Sequence, residues 1–223
     1  MRCSIRLAYL LLYNLVQFSG NTWIFANMTA RFVFFGRGAQ ADTFYSVGVI
    51  MSLCQLLSVL ELFHIADGIE KGRLFPRFVQ VAERNLLLFV VFVSVEEFQS
   101  NPLVCVQFCL WNILQLLRYP HGLLCLVSTP SANTLWARYT LSIPVYVLSV
   151  LTEGLSIWQA LPHFEGGLFS VQLEEPVQVL VYFPYVLMAY LPLLATAASV
   201  TVWLLLKERK QQLDSWNKKL KRK

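Results

Sequence analysis

The sequence predicts an all-α integral membrane protein, a bundle of about six transmembrane helices with both termini in the cytosol. Of the 223 residues, 57% are hydrophobic and only 14% are charged, compared with about 25% charged residues in a typical soluble domain. Apolar stretches recur along the chain at close to the ~20 residues that a helix needs to cross a bilayer. The basic residues between these stretches are also unevenly distributed, which indicates the orientation of the bundle.

Five stretches are apolar enough to span a membrane without extension. They cover residues 7–26, 44–66, 102–117, 139–161 and 177–206. A further segment is weaker, because its uncharged run, residues 86–95, must extend back past Glu83 and Arg84 to reach the length of a span. We therefore predict six spans, with five as the alternative. They form a single polytopic transmembrane domain, residues 1–206, followed by a basic cytosolic tail, residues 207–223.

The charges of the connecting segments set the orientation. Of the 18 Lys and Arg residues, only Arg31 and Arg37 fall on the second side of a six-span bundle. The positive-inside rule makes the basic side cytosolic, and both termini lie on it. Lys219 and Lys221 stand five and three positions from the end of the chain, which resembles a dilysine retrieval signal of the endoplasmic reticulum. The spans and their charges predict a multi-pass membrane protein, and the short dilysine match, which arises easily in basic tails, agrees with an endoplasmic reticulum location.

Composition and motifs exclude several other classes of function. The five cysteines all lie in predicted spans or cytosolic segments, so no disulfide framework is expected. The sequence contains no metal-binding motif, glycine-rich phosphate loop or nucleophile elbow. The net charge of +5 requires no nucleic-acid partner, since a basic tail is also typical of a segment lying on an anionic lipid surface. We predict no bound metal and no nucleic-acid partner.

Glu153 is the most informative single residue. It is the only side chain charged at neutral pH in residues 141–161, and an acidic residue at the centre of a membrane helix costs on the order of 3 kcal/mol. Tyr146 lies two helical turns earlier on the same face. The nearby cations of the sequence lie only at the helix ends. The pattern favours an acid/base pair or a ligand contact, with structural hydrogen bonding of the carboxyl group as the alternative.

Other polar side chains lie close to the predicted cytosolic ends of the spans. Glu61 and His64 are three positions apart and share a helical face. They are either a partly hydrated pair at the helix end, or they line a substrate cavity or orient another polar group. Arg118, beside Tyr119, and Arg138 lie at the same boundary, where basic side chains usually extend toward the headgroups. The alternative for the two arginines is that they bind an anionic group of a ligand.

The polar residues stand within a pattern that resembles one known family. The spacing Tyr146-x6-Glu153, preceded by Leu-Trp-Ala-Arg-Tyr at residues 135–139, is similar to the core signature of the very-long-chain (3R)-3-hydroxyacyl-CoA dehydratases, also called protein-tyrosine-phosphatase-like. Within the resemblance, residues 20–29 look closest to the fourth vertebrate paralogue. Further stretches agree in order over nearly the whole chain: Tyr13-Asn14 with Gly20 and Trp23, residues 60–64 with Gly68, Trp111 with residues 117–120, and Phe183-Pro184.

The resemblance implies a specific activity. Members are six-span proteins of the endoplasmic reticulum that catalyse the third step of fatty-acid elongation, converting a (3R)-3-hydroxyacyl-CoA to the trans-2-enoyl-CoA without a metal or redox cofactor. The elongase and the reductases of that cycle are the implied partners. The family's catalytic tyrosine and glutamate fall on Tyr146 and Glu153. Val147 and Ser149 stand where the family usually has proline and glycine, which predicts weak or narrowed activity.

The expected chemistry needs a base at C2 of the substrate and an acid at the C3 hydroxyl. Glu153 is expected to accept the C2 proton and Tyr146 to donate to or polarise the hydroxyl, although the two roles could be reversed. Arg118, Tyr119, Arg138, Glu61 and His64 are the candidate substrate-binding residues. The alternative function is a catalytically weak or inactive membrane scaffold that binds other elongation enzymes.

Overall fold

The protein is almost entirely helical in a computed structural model that describes residues 5–70, 72–128, 131–165, 169, 171–173 and 179–220. The first half contains α1 (Ile5–Phe35), α2 (Gly38–Ala41), α3 (Thr43–Ser58), α4 (Leu60–Ala66), α5 (Leu74–Leu86), a π-helical segment (Leu87–Val93) and α6 (Glu96–Gln99). The second half contains α7 (Pro102–Val127), α8 (Ala132–Trp136), a second π-helical segment (Ala137–Leu141), α9 (Ser142–Phe164), the strands β1 (Val171–Leu173) and β2 (Val179–Val181), and α10 (Phe183–Leu220).

Three helical stretches are long and apolar enough to cross a membrane: Thr43–Ala66, Asn133–Phe164 and Phe183–Trp216. They correspond to the second, fifth and sixth predicted spans. The first and fourth predicted spans also form long helices, α1 with 31 residues and α7 with 26. The structure thus confirms a helical, membrane-type protein, while the number of crossings stays a prediction.

The weak third segment is continuous in the structure. α5 contributes 13 residues and the π-helical segment after it contributes 7, which at about 1.5 Å per residue gives close to the ~30 Å of a hydrocarbon core. The helix therefore extends back past Glu83 and Arg84, as the length argument required. Both side chains are buried, so this segment carries charged groups into the interior of the bundle.

The start of the last predicted span is wrong by several residues. Residues 179–181 form β2, which pairs antiparallel with β1, and α10 begins only at Phe183. A short run of Val and Leu fits a strand as well as a helix, so hydrophobicity alone could not distinguish them. At its other end α10 continues through residue 206 into the basic tail as far as Leu220. The end of the tail, including Lys221, lies outside the described residues.

The fifth predicted span, α9, shows how the bundle is arranged. It packs between α7 and α10. Its inward face carries the polar side chains of Tyr146, Ser149 and Glu153, which are buried. Its outward face carries large apolar side chains such as Leu155 and Trp158, which are 53% and 62% exposed. Apolar residues on the outside and polar residues inside are typical of a helix in lipid, because buried polar groups in a membrane protein face the bundle interior.

Candidate active site

Glu153 is completely enclosed by the bundle. Its exposed fraction is 0%, and neither carboxylate oxygen has a hydrogen-bond partner within the described part of the chain. A buried carboxylate without a partner costs several kcal/mol, and such groups are rare unless they serve a purpose other than stability. The structural alternative, a carboxyl group held by hydrogen bonds, is not what these contacts show.

Tyr146 makes its contact with a different carboxylate. Its ring is 1% exposed, and its hydroxyl donates a hydrogen bond to Oε2 of Glu83 at 3.1 Å. Glu83 belongs to α5 and is itself 3% exposed. Two helices thus bring three proton-carrying groups together: Tyr146 and Glu153 from α9 and Glu83 from α5. Among the charged groups, Glu83 has the largest electrostatic effect on Glu153.

A cation lies within this group of acids. Arg84, next to Glu83, is 3% exposed, and its Nη1 has no hydrogen-bond partner among the residues described. It interacts electrostatically with Glu83, Tyr146 and Glu153. The sequence placed cations only at the helix ends near Glu153, and this expectation is wrong because α5 contributes Arg84 from a neighbouring helix. The buried site therefore has a guanidinium that can balance one carboxylate.

Glu61 forms a second buried cluster and holds two arginines. Its Oε2 accepts from Arg77 at 2.6 Å and lies 2.7 Å from Arg118. Its Oε1 accepts from the Tyr119 hydroxyl at 2.7 Å and from the Tyr13 hydroxyl at 3.2 Å. One carboxylate from α4 thereby fixes side chains from α1, α5 and α7. Of the two functions considered for Glu61, the structure shows that it orients other polar groups.

His64 lies beside this cluster. Its Nε2 is 2.8 Å from the hydroxyl oxygen of Tyr9, and its ring packs edge-on against Tyr13. His64 is 4% exposed and Glu61 is 1% exposed, so the idea of a hydrated pair at a helix end is wrong. Neither residue lines the large cavity described next.

A cavity of about 940 Å³ opens beside the Glu61 cluster. Its wall includes four arginines, Arg73, Arg77, Arg118 and Arg138. A small gap of about 20 Å³ shares three of these, Arg77, Arg118 and Arg138, and is also lined by Arg84 and Tyr146. The gap therefore lies next to the basic cavity and borders the tyrosine of the buried site.

Arg138 differs from Arg77 and Arg118 in having no carboxylate partner within the described part of the chain. Its guanidinium lies 5.6 Å from the centre of the Tyr139 ring and interacts electrostatically with Glu208, but it forms no ion pair with the residues described. Arg77 and Arg118, by contrast, are paired with Glu61. The cavity wall therefore combines two arginines that are fixed by Glu61 with two, Arg73 and Arg138, that form no ion pair among the described residues.

The described residues contain no group of three His, Cys, Asp or Glu side chains arranged to hold a metal ion.

The sequence argument identified Tyr146 and Glu153 but missed Glu83, Arg84 and Arg77. Glu83 and Arg84 counted there only as a cost to the third span. That cost was itself a usable signal, because charged residues inside a membrane helix are expensive and usually functional.

Comparisons with known proteins identify the family. The model of the family described as "Protein tyrosine phosphatase-like protein, PTPLA" matches residues 55–215. The chain is 46% identical to "Very-long-chain (3R)-3-hydroxyacyl-CoA dehydratase 4" of Homo sapiens, over 92% of this chain and 88% of that protein. It is 47% identical to "Very-long-chain (3R)-3-hydroxyacyl-CoA dehydratase" of Xenopus laevis, over 91% of this chain and 94% of that protein. No solved structure matches significantly. The chain therefore belongs to the protein-tyrosine-phosphatase-like (PTPLA) family, as its sequence pattern indicated.

Proposed function

We propose that this protein is a 3-hydroxyacyl-CoA dehydratase that converts very-long-chain (3R)-3-hydroxyacyl-CoA to trans-2-enoyl-CoA, with Tyr146 and Glu153 as its acid/base pair. The names of its relatives supply the reaction. The observation that carries the assignment of residues is the buried Glu153 carboxyl group, which has no partner among the described residues. A group held at such a cost in a membrane interior is available for proton transfer.

The reaction requires two proton transfers, cleavage of the C3–O bond and formation of the C2–C3 double bond, with no oxidant or reductant. Glu153 accepts a proton from C2 as the C2–C3 double bond forms. The C3–O bond breaks, and Tyr146 donates its hydroxyl proton to the departing oxygen, which leaves as water. Arg84 has an unpartnered Nη1 close to Tyr146, so its positive charge can stabilise negative charge that develops on the thioester oxygen.

The cavity has the chemistry expected of a site for the CoA portion. Its arginines offer charge-assisted hydrogen bonds to phosphates, and the small gap at Tyr146 marks where the thioester enters. The acyl chain would then lie among the apolar helices. The residues proposed to bind the phosphates are Arg138 and Arg118, of which Arg118 is held by Glu61. Tyr119 and Glu61 act by positioning the basic wall, and His64 belongs to the packing of α1 on α4.

The departures from the family pattern at Val147 and Ser149 are compatible with activity. Ser149 is buried, and its hydroxyl oxygen accepts a hydrogen bond from Gln107 at 3.0 Å, so the serine has a partner in α7. Val147 is 38% exposed. Neither residue lines the cavity or the gap. The two departures therefore give no structural reason to prefer the scaffold over an enzyme.

The membrane arrangement forms part of the proposal. The wall of the cavity comes from the N-terminal parts of α1 and α5, the C-terminal parts of α7 and α10, and residues 131–139. In a six-span chain with cytosolic termini, all of these lie on the cytosolic side. The cavity would then open toward cytosolic acyl-CoA. We propose this topology in the endoplasmic reticulum membrane, next to the elongase and reductases that supply the substrate and consume the product.

Replacing Tyr146 by phenylalanine tests the function and its acid together. Purified protein in detergent should form enoyl-CoA from a long-chain (3R)-3-hydroxyacyl-CoA, and Tyr146→Phe should lower kcat at least about 100-fold, because the acid is lost. Tyr182→Phe, in the connection before α10, is the matched control and should keep full activity. Absence of turnover in the wild type across several chain lengths would favour the scaffold, whose test is capture of the elongase.

Replacing Arg138 by alanine tests the phosphate site. We expect KM for the acyl-CoA to rise about tenfold, the loss of one charge-assisted contact of about 1.4 kcal/mol, with kcat nearly unchanged. An acyl-pantetheine without the adenosine phosphates should show no difference between wild type and variant. Arg37→Ala, an exposed arginine outside the cavity, should behave as wild type. An equal effect on both substrates would contradict phosphate binding by Arg138.

A further inference from the structure

Glu83 interacts with both of the proposed catalytic residues. Its carboxylate accepts the hydrogen bond of the Tyr146 hydroxyl at 3.1 Å, and its charge acts on Glu153. It is 3% exposed. Glu83 does not line the gap beside Tyr146, and its hydrogen bond with the site is made through the Tyr146 hydroxyl. This position suits a group that acts on Tyr146 and does not touch the substrate.

The proposed reaction leaves its two residues in the wrong protonation states after each turnover. Glu153 has gained the proton from C2, and Tyr146 has lost its own proton to the departing water. Dehydration consumes and releases no net proton, so the proton on Glu153 has to reach Tyr146 before the next turnover. The Cα atoms of the two residues are roughly 10 Å apart along one helix. Neither oxygen of Glu153 has a hydrogen-bond partner among the described residues, so the structure shows no direct hydrogen bond along which the proton could return to Tyr146.

We propose that Glu83 is a positioning residue that holds the Tyr146 hydroxyl and returns the proton from Glu153 to Tyr146 after each turnover. This inference rests on the proposed dehydratase function. Glu153 passes its proton to the Glu83 carboxylate, and Glu83 passes a proton to the Tyr146 phenolate along the existing hydrogen bond. Only O–H bonds form and break, and Glu83 ends as the carboxylate with which it began.

The surroundings of Glu83 support this function. A phenolate and a carboxylate in hydrogen-bonding contact repel each other strongly in a buried site, which drives a proton onto the pair. Arg84, the next residue, supplies a positive charge that interacts favourably with the carboxylate form of Glu83. Water has little access, since Glu83 and Glu153 are 3% and 0% exposed. The proton is therefore retained within the site.

The experiment compares the first turnover with continuous turnover. With protein in excess over a long-chain (3R)-3-hydroxyacyl-CoA, each molecule acts once and needs no returned proton. We expect Glu83→Gln, which keeps the size of the side chain but cannot carry the proton, to form enoyl-CoA within about threefold of the wild-type rate in this regime. With substrate in excess, its kcat should fall at least about tenfold. Glu96→Gln, an exposed glutamate, should match wild type in both regimes.

The other outcomes are equally decisive. Equal losses in both regimes would show that Glu83 is needed for the chemistry or the fold, and no loss in either would show that it is not needed; both overturn the inference and leave the dehydratase standing. If Glu83→Gln does not fold, Glu83→Asp replaces it, because aspartate stays ionisable but is too short to reach Tyr146. Absence of turnover in the wild type in both regimes would remove the proposed function itself.

Discussion

Glu153→Gln should abolish most of the dehydratase activity without destabilising the protein. We expect kcat to fall at least about 100-fold, because an amide cannot accept the C2 proton and general base catalysis contributes about 10²–10⁴-fold. The free energy of unfolding should stay the same or rise. Neither oxygen of Glu153 has a hydrogen-bond partner in the described part of the chain, so the substitution removes a costly buried acid and breaks no contact.

The two measurements are made on the same detergent-solubilised preparation. Enoyl-CoA formation gives kcat, and thermal unfolding gives the stability relative to wild type. Glu96→Gln, which removes an exposed carboxylate, is the control and should change neither quantity. A variant that lost activity and stability together would indicate a structural carboxyl group. A fully active Glu153→Gln would refute the proposed base.

The difference between Glu153 and Glu83 shows what the sequence could predict. Glu153 is conspicuous because the residues around it in one segment are apolar, and the cost of a carboxylate in the middle of an apolar span follows from that segment alone. The contact of Glu83 with Tyr146 joins residues 63 positions apart. It depends on how α5 packs against α10 and α9, which periodicity does not encode. The two proposed catalytic residues were therefore predictable from the sequence, whereas the contact of Glu83 with Tyr146 was not.

Glu61 and His64 illustrate the same limit on a smaller scale. Their spacing of three correctly predicted one helical face. It could not show that Glu61 meets Arg77 of α5 and Arg118 of α7, because both ion pairs cross between helices. Several polar groups near a helix end look hydrated in sequence, yet here they satisfy one another in the interior. Counting possible partners on the other helices is what distinguishes a hydrated end from a buried cluster.

Glu61→Gln should produce the largest loss of stability of any single substitution proposed here. The substitution keeps the size of the side chain but removes the charge shared by Arg77, which is 5% exposed, and Arg118, which is 18% exposed. Breaking a buried ion pair by removing one partner costs about 3–5 kcal/mol, because the remaining charge is left uncompensated. For a chain of this length we expect the Tm to fall by about 10 °C.

Glu70→Gln is the matched control for Glu61. Glu70 also contacts Arg118, at 3.4 Å, but its side chain is 37% exposed, so solvent screens the pair and less than about 1 kcal/mol should be lost. Thermal unfolding of both variants in one detergent separates the two contributions. Glu61→Gln should also raise KM for the acyl-CoA, because Glu61 holds Arg77 and Arg118, which line the cavity. Equal stability of the two variants would mean that the arginines find water or lipid phosphates when Glu61 is lost. The cavity wall would then be held by the packing of α4, α5 and α7 and not by the Glu61 carboxylate.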